Sequence, residues 1–457
     1  MRFWVAAAVA ALSPAAALAE TLPEALAQAY AGNPTLAAAR AQQAATDENF
    51  AQARAGFLPQ LGATGTLSTQ RVETENTNVS ASSPLRNSTT ELDPQTYGLR
   101  ATQSIYAGGA NWARLKQADA VIASSQQGLR AVEQQVLLQA VAAYVDVIRD
   151  EEQVRIRRSN VDVLKRQLQA ANDRFKVGEI TRTDVAQAQA RLAGAEANLA
   201  AGVAALEGSR AQYARIIGVA PAGLQAPPTP PEIPSTIDAA IDAAVAANPD
   251  LQRLIKAEEV ARRQIAIEAA ALKPDLSIVG QVGRSIDASG RGFESDSTSA
   301  SAQLTIPLFE GGLARSRTRQ AKINLTRARI QSEEARRGVV SNVTAAWNDL
   351  NAARQVITAT REQERAAKLA LDGAEQELQV GLRTTLDVLN AQQELFDAQL
   401  TVARAERDAY VAHHRLLQSI GALTPQSVGV KDSLYDPAKS LGRVKTTILS
   451  TKPVKTD

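Results

Sequence analysis

Cysteine is absent from the 457 residues, which excludes disulfides, thiolate metal sites, catalytic thiols and a lipid-modified cysteine. Histidine occurs only at His413 and His414. Neighbouring helical positions point about 100° apart, so this pair cannot clamp one ion, and neither a metal nor a cofactor is expected. Aromatic residues make up only 4%, a composition better suited to closely packed helices than to a thick core with an aromatic-lined pocket. There is no nucleotide-binding loop, nucleophile elbow or metal-ligand cluster, so the sequence does not read as an enzyme. Acids and bases nearly balance at a formal charge of +2 and are interspersed, leaving no basic face for nucleic acid. After the first residues, no apolar run approaches the roughly 18 to 20 residues that a membrane-spanning helix needs.

What is present begins at the N-terminus. Met1–Ala19 carries one cation at Arg2, an apolar run from Phe3 to Leu12 and the small-residue exit Ala17-Leu18-Ala19, the pattern of a secretory signal peptide. The remainder contains one unit twice. Thr21-Leu22-Pro23 through Asn33-Pro34 and Phe57-Leu58-Pro59 correspond to Thr236-Ile237-Asp238 through Asn248-Pro249 and Leu272-Lys273-Pro274, at an offset of about 215. Further on, Tyr106-Ala107-Gly108-Gly109 pairs with Phe309-Glu310-Gly311-Gly312, and Val177-Gly178 with Val380-Gly381, at an offset about 12 shorter. The extra residues of the first copy fall in a polar loop near Glu73–Asp93. The expected organisation is therefore a signal peptide over 1–19, a first repeat over 20–219, a proline-rich linker over 220–235, a second repeat over 236–423 and a polar, extended tail over 424–457.

Each copy reads as helix, strand, strand, very long helix, helix. Between Gly108 and about Asn172 there is no proline, and Leu115, Ile122, Leu129 and Val136 recur every seventh residue. About 63 residues at 1.5 Å each predict a helix near 95 Å long. The counterpart is Leu313–Glu375. The opening helix, about Leu22–Gly56, and the helix after the turn, Asp184–Ile217, together match the long one in length, so they are expected to stack end to end beside it. In the second copy the corresponding segments are about 236–271 and 386–420.

Past Pro59 and Pro274 the period changes to two. Leu61, Ala63, Gly65 and Leu67 alternate with Gly62, Thr64, Thr66 and Ser68; Tyr97, Leu99 and Ala101 return. Leu276, Ile278, Gly280 and Val282, and then Ala300, Ala302, Leu304 and Ile306, repeat the pattern. Short segments with one apolar and one small or polar face are the signature of outer-membrane barrel strands. An unpaired sheet edge in hydrocarbon costs several kcal/mol per backbone group, and closed membrane barrels begin at about eight strands. Four strands per chain therefore require further copies. A soluble periplasmic coiled-coil structural protein is the alternative of another class, and it leaves the hairpins without a role.

From about Leu22 to Ala422 the chain resembles the TolC family of outer-membrane exit ducts. The resemblance rests on the duplicated Asn-Pro helix, the two Gly-Gly junctions, and the turns Val177-Gly178-Glu179-Ile180-Thr181-Arg182-Thr183-Asp184 and Val380-Gly381-Leu382-Arg383-Thr384-Thr385-Leu386-Asp387. It implies a mixed α/β membrane protein: a homotrimer whose twelve-stranded antiparallel β-barrel, four strands per chain, sits in outer-membrane lipid and continues as an α-helical coiled-coil barrel in the periplasm. It also implies a periplasmic adaptor protein and an inner-membrane ABC or proton-driven transporter as partners. The duct then serves type I protein secretion or, alternatively, multidrug efflux. The Tyr435-Asp436-Pro437 tail resembles members that serve type I secretion.

In the family an arginine and aspartates guard the periplasmic entrance. The resemblance places Arg383 as that arginine, Asp184 as its first-copy partner and Asp387 in the entrance ring. Leu378 stands where a linking tyrosine is known, and Asn390 where a second ring aspartate is known. These residues also read as helix ends. Gly178 and Gly381 suit left-handed C-caps, and Thr181-x-x-Asp184 and Thr384-x-x-Asp387 suit N-terminal capping boxes.

Overall fold

The computed structural model describes residues 20–74, 88–431, 434–448 and 450–452. The expected signal peptide, residues 1–19, lies outside the described residues. The chain divides into two compact units, one taking residues up to Ala41, Gln127–Gln252 and Glu334–Tyr435, the other Gln42–Gln126, Arg253–Glu333 and the residues from Asp436 on.

The first series of elements is α1 (Leu22–Gly32), α2 (Pro34–Ala55), β1 (Gln60–Leu67), β2 (Gln70–Thr74), β3 (Ser88–Leu92), β4 (Gln95–Ala107), α3 (Ala110–Lys176) and α4 (Arg182–Ile217). The second is α5 (Ile237–Ala247), α6 (Pro249–Ala270), β5 (Asp275–Ile286), β6 (Glu294–Thr305), α7 (Leu313–Gln379) and α8 (Thr385–Ser419), followed by α9 (Pro437–Thr446). Helices α3 and α7 are 67 residues each. At 1.5 Å per residue that is roughly 100 Å. None of the described helices is long and apolar enough to cross a membrane.

Three expectations need correction. The opening segment of each copy is two helices rather than one, broken at Asn33-Pro34 and Asn248-Pro249. Proline supplies no N–H and forces the preceding residue out of the helical region, so Asn33 sits at φ −70°, ψ 122° and Asn248 at φ −61°, ψ 121°. Each asparagine side chain then caps the helix that follows, accepting from Thr35 and Leu36 or from Asp250 and Leu251. Next, the polar loop of the first copy begins and ends as a hairpin, with β2 pairing β3 from Gln70↔Leu92 to Thr74↔Ser88. Finally, the tail is not merely extended. Asp436 accepts from the Ala438 N–H and Pro437 opens α9, the two signals that start a helix.

The core of the first unit is aliphatic. Leu26, Leu137, Val141, Tyr144, Val343, Leu416, Leu417 and Leu423 are all fully or almost fully buried there. The heptad positions Ile122, Leu129 and Val136 of α3 are 2–4% exposed, the seam expected of helices packed side by side. The proline-rich segment lies against this core: Tyr144 donates to the Gln225 carbonyl, Tyr410 to that of Pro228, and the His413 ring meets that of Pro231.

The second unit holds a four-stranded antiparallel sheet in the order β1-β4-β5-β6. Its registers run Gln60↔Thr102 to Leu67↔Gln95, Gln95↔Ile286 to Ala107↔Asp275, and Asp275↔Thr305 to Ile286↔Glu294, with one irregularity between Ser104 and Tyr106. Among the described residues β1 and β6 each have one partner, so both outer edges of the sheet are unpaired there. Every residue of the outer strands β1 and β6 is exposed in the chain, apolar side chains included, with Leu61 81%, Leu67 72%, Leu99 59% and Leu304 59% exposed. A water-soluble sheet buries its apolar face, and this one leaves those side chains uncovered.

Candidate functional site

The two helix-to-helix turns of the first unit are built alike. At the end of α3, Gly178 has φ 77°, its N–H donates to the Phe175 carbonyl at 3.0 Å, and the Glu179 N–H reaches back to that of Arg174 at 3.0 Å. At the end of α7, Gly381 has φ 78°, with Gly381 donating to Leu378 at 3.1 Å and Leu382 to Glu377 at 2.9 Å. Both are Schellman closures, which need a left-handed residue that glycine supplies without penalty.

The chain then re-enters a helix through a capping box. Thr181 Oγ1 accepts from the Asp184 N–H at 3.3 Å while Asp184 Oδ2 accepts from the Thr181 N–H at 2.9 Å. Thr384 and Asp387 repeat this at 3.3 and 2.9 Å. The backbone N–H of Thr181 and then its hydroxyl hold the Asp184 carboxyl below its ordinary pKa; at Asp387 the Thr384 hydroxyl leads and the backbone N–H follows. Both aspartates are therefore anions at neutral pH and complement the positive end of the following helix.

Within the chain, Arg383 and Asp184 have separate partners. Arg383 Nε donates to Glu377 Oε2 at 2.7 Å, across the Gly381 turn. Asp184 is engaged by Thr181. Asn390 Oδ1 accepts from Arg191 at 3.1 Å, so this pair joins α8 to α4. Leu378 packs against Leu371, Ala374, Val388 and Leu395 and fills an apolar seam.

The roles of Glu377 and Arg191 are not apparent from motif reading, but the internal repeat carries a signal for the first. At the offset of about 203, Glu377 of the second copy stands where the first copy has Arg174. Arg174 pairs with Glu179 at 3.7 Å, whereas Glu377 pairs with Arg383, so the two turns carry ion pairs of opposite polarity. The two histidines are core residues. His414 Nδ1–H donates to the Tyr410 carbonyl at 2.9 Å, and burial pushes its pKa down to about 4.

Comparison with known proteins agrees with this architecture. The chain is 33% identical to the outer membrane efflux protein BepC of Brucella suis over 435 residues, covering 95% of this chain and 92% of that protein. It is 29% identical to the outer membrane protein TolC of Vibrio cholerae over 441 residues, covering 93% and 96%. Among solved structures, the CmeC outer membrane channel of Campylobacter jejuni superposes with a TM-score of 0.75 at 16% identity, covering 93% of this chain and 89% of that one, which shows a common fold. The outer membrane efflux protein family matches residues 25–219 and 240–422. The chain accordingly belongs to the outer membrane efflux protein family, whose relatives are channel-tunnel proteins of the outer membrane rather than enzymes.

Proposed function

We propose that three copies of this chain close into one twelve-stranded barrel and a periplasmic helical tunnel, and that the assembly is the exit duct of a tripartite export system, serving type I protein secretion. The observation that carries this reading is the four-stranded sheet with two unpaired edges and uncovered apolar side chains. Backbone groups left unpaired in hydrocarbon are costly enough that the edges must meet the edges of other copies. The energy for transport comes from an inner-membrane transporter coupled through a periplasmic adaptor; the duct supplies only the path. Arg383, Asp184, Asp387 and Asn390 act at its entrance as gate and selectivity residues, while Gly178, Gly381, Thr181 and Thr384 hold the turns that carry them. The signal peptide is removed after Ala19, and the two repeats form equivalent parts of the wall.

Secretion is favoured by the Tyr435-Asp436-Pro437 tail, whose tyrosine lies against the Arg40 guanidinium, 5.4 Å from its ring centre. Small-molecule efflux is the second reading, and the similarity to BepC, an efflux protein by name, favours it. Deleting the gene and comparing secreted proteins with drug susceptibility separates the two. Loss of specific exported proteins with unchanged susceptibility supports secretion; the reverse pattern overturns it in favour of efflux. A folded, detergent-independent monomer in aqueous buffer overturns the duct itself.

A further inference from the structure

Helix α7 opens with a run of one charge sign. From Gly311 to Ser332 there are six cations, Arg315, Arg317, Arg319, Lys322, Arg327 and Arg329, and no acid before Glu333. A helix N-terminus already carries positive macrodipole charge, so cations in its opening turns weaken the helix and call for an anion outside it. At 100° per residue, Arg315, Arg319, Lys322 and Arg329 fall within about 80° of one another and form a stripe. Arg329 meets Glu258 at 3.2 Å. Among the described residues no carboxylate pairs with Arg315, Arg319 or Lys322, and all three are exposed. The matching stretch of α3 is different: Trp112, Lys116 and Asp119 stand opposite Arg315, Arg319 and Lys322 in the repeat register, so only the second copy has all three cations.

Beside the cations lies an apolar knuckle. Leu308 and Phe309 lie three and four residues beyond the end of β6 and are 91% and 85% exposed. With Leu272, Arg315 and one carboxylate, Glu310, they line a groove of about 160 Å³. Apolar side chains at the end of a membrane strand, followed by cations, match the profile of a bilayer interface, with acyl chain beside the first and headgroup phosphate beside the second.

We propose that Leu308, Phe309 and the stripe Arg315, Arg319 and Lys322 form a binding surface for anionic phospholipid in the periplasm-facing leaflet of the membrane. A water-filled lumen offers nothing to Leu308 and Phe309, whose exposure to water is unfavourable.

The test uses the full-length assembly reconstituted in equimolar phosphatidylglycerol and phosphatidylcholine, extracted gently, with the retained lipid quantified. Phosphatidylglycerol is expected to be enriched, and the enrichment to fall by about fivefold for each cation lost in Arg315→Gln, Arg319→Gln and Lys322→Gln. Arg317→Gln, on the opposite side of the helix, leaves it unchanged. High salt lowers it, and excess inorganic phosphate does not replace the lipid. Equal enrichment in the triple variant overturns the proposal. So does a shift in channel ion selectivity with unaltered lipid retention, which assigns the stripe to the lumen. Loss of the heat-resistant assembly even in pure phosphatidylcholine assigns it to a contact between copies, and displacement by phosphate assigns it to a free anion.

Discussion

The Asn33 side-chain amide donates to the Ile216 carbonyl at 2.9 Å, while its oxygen caps α2. Asn248 makes the same bridge to Ser419 at 2.9 Å. One side chain thus satisfies an orphan carbonyl at the end of one helix and orphan N–H groups at the start of another. In each copy the C-terminus of the second helix of the turn meets the N-terminus of the helix after the Asn-Pro break.

Asn33→Ala removes the cap and leaves a carbonyl without its donor at a site that is 7% exposed. The expected loss is about 1–2 kcal/mol, with a similar loss for Asn248→Ala. Denaturant unfolding of the detergent-solubilised protein measures it. Wild-type stability in both variants would mean the asparagines cap nothing of consequence.

At the turns, Arg383→Ala and Asp184→Ala are expected to raise single-channel conductance in planar bilayers, by less than about fivefold because exposed ion pairs contribute little each. Unchanged conductance in both variants removes the latch role. Asp387→Asn should weaken block by multivalent cations, and equal block refutes the ring role. Glu377→Gln provides a check on the partner seen within the chain, since it frees Arg383 without deleting it.

Asp47 is fully buried, and burial pushes its carboxyl pKa up, while hydrogen bonds from Ser440 and Gln43 pull it back. An acid whose folded pKa is raised costs stability above its unfolded value, and that cost is relieved as pH falls through the folded value. Thermal stability should therefore gain a component on going from neutral pH toward about 4 that Asp47→Asn lacks. Identical slopes of melting temperature against pH in the two proteins would show that Asp47 is already neutral or solvated.

The Arg40 guanidinium lies 4.4 Å from the Tyr30 ring centre and 5.4 Å from that of Tyr435. Replacing it by glutamine removes both ring contacts and the hydrogen bond to the Tyr30 carbonyl. The tail should then detach more often, by about fivefold for a contact near 1 kcal/mol. Limited trypsin cleavage after the exposed Lys431 reports this directly, and unchanged cleavage would show that the tail is held by other groups.

Much of the fold is visible in residue spacing because long helices and membrane strands repeat one physical constraint many times. Ile122, Leu129 and Val136 announce α3 through their period, and Leu61 to Leu67 announce β1 through theirs. Features fixed by single contacts are harder to read. The break at Asn33 is written in the Asn-Pro dipeptide, yet the apolar positions on both sides of it read as one helix. The hairpin β2–β3 has short polar strands with too little alternation to register, and α9 depends on Asp436 and Pro437 more than on periodicity. At the turns the caps follow from residue types, since Thr-x-x-Asp bonds locally. The Glu377–Arg383 pair does not, because it spans a left-handed glycine whose geometry no linear spacing encodes.

The opposed ion pairs at the two turns bear on symmetry. A ring made of any number of these chains presents twice that number of helical hairpins, and their backbones are near replicas. Arg174 in one and Glu377 in the other make the two hairpins of each chain electrostatically distinct. In such a ring the backbone would repeat twice per chain and the charge only once.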